Sequence, residues 1–165
     1  YAAGQPFGLT PYGTEALHVL RAEKGFVIVG QDTDGSITPN DLGMDWIVAK
    51  HKDFLGKRSL ARADCVRPER KQLVGLLADE PNTVIPEGAQ LLREAYTRLP
   101  APMEGHVTSS YHSGALGRSI ALALLKGGRA RHGERVYAAT AGGGLIAARV
   151  TGPVFYDPRG ERING

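Results

Sequence analysis

Cysteine is nearly absent: Cys65 is the single thiol in 165 residues. One sulfur closes no intramolecular disulfide and builds no cysteine-based metal cluster, which fits a reducing, cytoplasmic setting. Long hydrophobic runs are missing as well. The longest, Ile120 to Leu125, is far short of the roughly 20 residues that cross a bilayer, and reads as a strand. A membrane-spanning segment is excluded on length. Charge of one sign is also scarce, with 20 basic against 17 acidic residues, a net charge of +3 and a pI of about 9.1. Both signs are mixed along the chain, too weak a bias for a nucleic-acid partner. The histidines His18, His51, His106, His112 and His132 form no HExxH pattern and have no acidic residues at ligand spacing, so no metal is expected. There is neither an initial Met nor a basic and apolar leader, and from this we expect a piece of a longer protein.

What is present is a globular composition, 42% hydrophobic and 22% charged, on a length that can bury a core. Residues 1–11, with Gly4, Pro6, Gly8 and Pro11, predict an arm without regular structure. Thr14 to Glu23 places apolar residues at helical spacing, and Gly25 supplies a left-handed stop. Phe26 to Val29 predicts a short buried strand, followed by a turn at Asp32, Asp34 and Gly35. Thr38-Pro39 offers an N-cap with proline at the first helical position, predicting a brief helix over 39–44; another is expected over 56–63. From Gln72 the pattern changes to six short strands, at 73–77, 89–92, 105–109, 119–125, 134–139 and 145–150. Gly, Pro and Asn turns separate them, which favours a small barrel or sandwich. Residues 64–71 form the best boundary, and the tail from Tyr156 to Gly160 is expected to fray.

The motifs LRAEKG at 20–25, GQDTD at 30–34, TPNDLGMDWIV at 38–48, DFLGKRSL at 53–60 and GHVTSSYHSGALGRSIALALL at 105–125 fall in a familiar order. This order resembles the second half of the glycine-cleavage T-protein family, the tetrahydrofolate-dependent aminomethyltransferases, from about Gly13 to Pro158. The barrel stretch 105–138 and the ending PVFYDPRG are most similar to the sarcosine oxidase alpha-subunit branch. The resemblance implies an α+β fold: short helices and strands from the middle of the folate-binding module, then a six-stranded, jelly-roll-like β-barrel. Residues 1–66 would be part of the folate-binding aminomethyltransferase domain and 67–165 the C-terminal barrel.

By the same resemblance Glu23 is similar to the carboxylate that accepts hydrogen bonds from the pterin N3–H and exocyclic amine. Without the motif it reads as a solvated helix residue. Phe26 would form an apolar wall. Trp46 is either a core anchor or a wall beside the folate rings. Lys52 lies where the glutamate tail of folate would emerge, although the family tends to place arginine near it, and Lys50 and Lys52 also suit a solvated face. Arg21 is expected in a structural ion pair. Asp32 and Asp34 are expected to serve the turn, with a supporting role near the ligand as the alternative for Asp32. His112 is read as a surface loop residue, and Gly142 to Gly144 as a hairpin turn. Ser109 and Ser110 lack a GxSxG elbow, which disfavours a hydrolase. No catalytic residue is expected in this chain, because the acidic residue that orients the substrate nitrogen would lie upstream of Tyr1.

The implied cofactor is tetrahydrofolate, with FAD, FMN and NAD elsewhere in the complex. The implied partners are the upstream part of the same subunit and the other oxidase subunits. The implied activity is formation of 5,10-methylenetetrahydrofolate from the oxidised N-methyl group of sarcosine, with the chain inactive alone. The alternatives are a glycine-cleavage aminomethyltransferase and a non-catalytic subunit-binding scaffold.

Overall fold

A computed structural model of the protein describes residues 1–96 and 100–162. The one α-helix among the described residues, α1 (Thr14–Glu23), has the predicted bounds. Its end is set by hydrogen bonding: the Gly25 amide donates to Ala22 O at 3.0 Å and the Phe26 amide to Arg21 O at 2.9 Å. That is a Schellman closure, which needs a left-handed residue, and Gly25 has φ 68°. A Cβ on Gly25 would also stand 2.6 Å from Pro153 O. The glycine therefore allows both the turn and the close approach of the C-terminal tail.

Several expectations for the first 66 residues are corrected. Ala2–Phe7 is a 3-10 helix, though it has no buried residue. Phe26 to Val29 is not a strand, and only an isolated bridge joins Val29 to Thr33. The reason is that its backbone donors are already committed, Phe26 N to the helix cap and Ile28 N to the Asp32 carboxylate at 2.9 Å. Residues 39–43 form consecutive turns instead of a helix. Asp41 accepts hydrogen bonds from both Thr38 N and Thr38 Oγ1 at 2.8 Å, which stabilises the first turn but not a further one. Two further 3-10 helices follow, Asp45–Ile47 and Lys57–Ala61, the latter after Gly56 at φ 91°. Trp46 is not a core anchor; it is 77% exposed.

The remaining strands close on themselves. They are β1 (Lys71–Ala78), β2 (Gln90–Leu92), β3 (Met103–Ser113), β4 (Arg118–Lys126), β5 (Arg135–Ala139) and β6 (Leu145–Thr151). All pairs are antiparallel, and the order around the barrel is β1-β4-β3-β2-β5-β6. Closure removes the two open edges that a flat sheet of these strands would have. β3 is longer than expected, and a 3-10 turn at Gly128–Arg131 joins β4 to β5. No helix among the described residues is long and apolar enough to cross a membrane.

The strand IALALL explains how helix and barrel meet. Strand side chains alternate between faces, so Ala121, Ala123 and Leu125 point into the barrel with Val74, Leu76, Val136 and Val150. Ile120, Leu122 and Leu124 point outward, where they pack with Leu73 and with Ala22 of α1. β4 is thus buried on both faces, and each such Leu or Ile contributes about 1.5–3 kcal/mol of burial. Val27, Ile37, Leu42 and Phe155 pack against this outer cluster. Phe155 reaches it because Gly75 has no Cβ; one there would meet the Phe155 ring at 2.7 Å.

The C-terminal tail does not fray where expected. Phe155 N and Tyr156 N donate to Glu23 O at 2.9 and 3.0 Å, and Lys24 Nζ donates to Asp157 O at 2.6 Å.

Candidate functional site

The buried residues of α1 are Arg21, Ala22 and Glu23, all in its last turn. They face the outside of β3, where Ser109, Tyr111 and Ser113 stand at i, i+2 and i+4 on one face. Each of these hydroxyls meets the helix. Arg21 Nη2 donates to Ser109 Oγ at 2.7 Å and to Tyr111 OH at 3.4 Å, and Ser113 Oγ donates to Glu23 Oε1 at 2.5 Å. The Arg21 guanidinium carbon lies 5.7 Å from the centre of the Tyr111 ring, which adds a cation–π contact.

Arg21 is held in the ion pair expected of it, with Nη1 2.5 Å from Asp32 Oδ2. Asp32 is fully buried, and its other oxygen accepts Thr108 Oγ1 at 2.5 Å and Ser109 Oγ at 2.6 Å. Two consecutive residues of a regular strand could not both reach one oxygen. The register of β3 against β4 slips between Val107 and Ser109, so Thr108 is the extra residue of a bulge, and the bulge turns both hydroxyls to the same side. Gln31 Nε2 adds a bond to Ser109 Oγ at 3.1 Å. Asp34 serves the turn, accepting from Ser36 N at 2.7 Å.

A second clamp joins the turn at 38–43 to the start of the barrel. Arg70 Nε and Nη2 reach the Asp41 carboxylate at 2.9 and 2.7 Å, and Leu73 N donates to Asp41 O at 2.8 Å. Burial alone would raise the Asp41 carboxyl, but the Arg70 guanidinium and the Thr38 donors outweigh it and hold it below its ordinary value. Hydrogen bonding to Asp41 correspondingly raises Arg70.

Glu23 differs from both aspartates. It is 3% exposed, yet among the described residues its carboxylate has one hydrogen bond, from Ser113, and no ion pair. An ionised carboxylate can accept about four hydrogen bonds, so most of the accepting capacity of Glu23 is unused by the protein. A ligand edge carrying two adjacent N–H donors would supply what the protein does not. Asp32 and Asp41 have no such capacity left; they are structural.

The other predicted site residues lie elsewhere. Phe26 is 56% exposed, immediately after the helix cap. Lys52 lines an apolar hollow of about 510 Å³ with Ile47, Val48, Phe54, Leu55 and Leu60. Glu23, Phe26 and Trp46 are not among the residues that line this hollow. His112 is exposed on β3, and Gly143, at φ 79°, turns the hairpin between β5 and β6. Ser113 and the Thr108–Ser109 bulge went unread in the sequence. The first could have been found from the spacing of Ser109, Tyr111 and Ser113, whereas a bulge leaves no such mark.

A helix end laid on a closed six-stranded barrel, with a buried glutamate at the junction, defines a class. The chain belongs to the glycine cleavage T-protein C-terminal barrel domain family, whose model matches residues 71–157, while the GCVT N-terminal domain model matches residues 1–52. Among individual proteins, it is 53% identical over 167 residues to the sarcosine oxidase subunit alpha of Corynebacterium sp. (strain P-1), covering all of this chain and 17% of that protein. The sarcosine oxidase subunit alpha of Rhizobium meliloti (strain 1021) is 42% identical over 164 residues, covering 98% of this chain and 16% of that protein. The chain therefore spans about a sixth of the length of these relatives. The crystal structure of glycine cleavage system aminomethyltransferase T from Bartonella henselae superposes with a TM-score of 0.73 at 25% identity, covering 88% of this chain and 39% of that one.

Proposed function

We propose that this chain supplies a folate-reading carboxylate and the terminal barrel of a sarcosine oxidase alpha-type subunit. The observation that carries this reading is the Glu23 carboxylate, buried without a cation and served by a single hydroxyl. A pterin ring presents N3–H beside an exocyclic amine, and two carboxylate oxygens match that pair. Phe26 and Trp46, both exposed, offer apolar faces to the rings. Lys52 offers a cation beside an apolar hollow to the carboxylate end of the same ligand.

Tetrahydrofolate, when bound, accepts the one-carbon unit from the oxidised N-methyl group of sarcosine, giving 5,10-methylenetetrahydrofolate. The residues of this chain bind and orient; none is assigned to proton transfer. Residues 1–66 supply the folate contacts and 67–165 the barrel that supports them. In this reading the upstream part of the same subunit and the other sarcosine oxidase subunits are its partners, FAD, FMN and NAD are bound elsewhere in the complex, and the assembly is cytoplasmic. Bringing two reactants together lowers a barrier only where both are held, so the chain alone has negligible activity.

Titration of the complete polypeptide with tetrahydrofolate tests this. Glu23→Gln replaces one acceptor oxygen by a donor and removes the charge, and should weaken binding about ten- to hundredfold. Equal affinity in the two proteins would refute the assignment.

The likeness to aminomethyltransferase T supports a second reading, a glycine-cleavage aminomethyltransferase. Capture of a lipoylated carrier protein, in place of flavin-bearing subunits, would favour it. A pure scaffold is the third, and tight tetrahydrofolate binding counts against it.

A further inference from the structure

We infer that Ser113 is a positioning residue for ligand recognition by Glu23, acting from the barrel across to the helix. The inference rests on the reading of Glu23 as the ligand's carboxylate. Ser113 is fully buried at the end of β3, and its Oγ takes part in two bonds of opposite sense. It accepts the Leu116 N–H at 3.1 Å, within the turn that leads to β4, and it lies 2.5 Å from Glu23 Oε1. An ionised carboxylate has no proton to give, so the hydroxyl's one hydrogen points at Glu23. The Leu116 amide fixes the direction of that hydrogen by occupying a lone pair.

The consequence is a glutamate held at its backbone by the C-terminal tail and at its head by the barrel. The backbone of Glu23 is pinned through its carbonyl by Phe155 N and Tyr156 N at 2.9 and 3.0 Å. The head is pinned through Oε1 by Ser113, while no donor among the described residues reaches Oε2. A glutamate side chain has three torsions to freeze, and freezing them before the ligand arrives removes that cost from binding. The barrel thereby sets the affinity of a site whose recognition atom lies on the helix.

The test is a double-mutant cycle in the complete polypeptide, with tetrahydrofolate as the probe and equilibrium affinity as the readout. Ser113→Ala should weaken binding about five- to tenfold, leave the KM for sarcosine unchanged, and cause no further loss in a Glu23→Gln background. Ser113→Thr, which keeps the hydroxyl, should restore most of the affinity. If Ser113→Ala folds poorly, Ser113→Cys keeps the volume with a much weaker donor and should show the same loss. Wild-type affinity in Ser113→Ala or Ser113→Cys, or an equal loss with and without Glu23, overturns the proposal while leaving the Glu23 reading intact. Wild-type affinity in Glu23→Gln overturns both.

Discussion

Among the described residues, 17 large hydrophobic side chains are exposed, and 13 of them lie between Tyr1 and Val66. The barrel turns its apolar residues inward around Leu76, Leu91, Leu125 and Val150, whereas the preceding segment leaves Phe7, Val29, Trp46 and Leu55 in the open. Besides the apolar contacts of Ala22, Val27, Ile37 and Leu42 with the outside of the barrel, that segment is fastened by two buried ion pairs: Arg21 with Asp32, which meets Thr108 and Ser109, and Asp41 with Arg70. The contrast separates two sources of stability. Burial is tolerant of small changes in shape, but a buried ion pair with several hydrogen bonds fixes distances, and the helix end that carries Glu23 is positioned by the second kind. If the comparison holds, the two regions respond differently to the same kind of damage.

The largest effect should come from Asp32→Ala. Removing one partner of a buried pair leaves the other charge uncompensated, at a cost of about 3–5 kcal/mol, and here Thr108 and Ser109 also lose their acceptor. Chemical denaturation should register that loss, and hydrogen exchange should locate it in α1 and residues 26–34, with the amides of β1 and β4 still protected. Uniform loss of protection would mean that segment and barrel unfold together, and the distinction would be wrong.

A smaller effect, with a characteristic pH dependence, belongs to Asp41. Its carboxyl is held below the ordinary value of 3.8 in the folded chain. Such a group binds its proton more readily when unfolded, so its contribution is complete above the unfolded value and is lost as pH falls through the folded one. Asp41→Asn should lower stability at neutral pH and flatten the decline below about pH 4. Asp34 and Asp157, also lowered, remain in the variant, so the slope should shrink without vanishing. Urea unfolding of both proteins from pH 7 to pH 3 measures this; an unchanged acid limb would remove Asp41 from the fastening.

These anchors mark the limit of what the sequence reveals. The six strands were legible because their signal is local: short apolar runs bounded by Gly, Pro and Asn turns, as in IALALL, whose Ala121, Ala123 and Leu125 fall inward and whose Ile120, Leu122 and Leu124 fall outward. α1 was legible for the same reason, from its spacing and Gly25. The strand predicted at 26–29 failed because apolar content cannot say that Arg21 O and Asp32 already hold its amides. Glu23 was singled out through its motif, but its isolation from any cation depends on Arg21 turning to Asp32 instead. The Thr108–Ser109 bulge reverses strand parity, and plain alternation would place those two hydroxyls on opposite faces. Ser113 was visible as the third member of a period-two series and passed unread, because only the fold says that the series faces α1.

The smallest change in stability should come from Trp46→Ser, and it sharpens the comparison most. In the barrel a large aromatic removed from the core would cost about 3–5 kcal/mol. Trp46 is 77% exposed, in a 3-10 turn with no buried residue, so little apolar contact is lost and the shift should stay within about 0.5 kcal/mol. A tryptophan this exposed adds little to packing, and its ring is open to a ligand or to another stretch of a longer polypeptide. The same substitution should therefore weaken tetrahydrofolate binding in the complete polypeptide if the indole lies beside the ring system. Unchanged folate affinity, with stability also unchanged, would move Trp46 out of the ligand site and assign the exposed apolar surface around it to a protein partner.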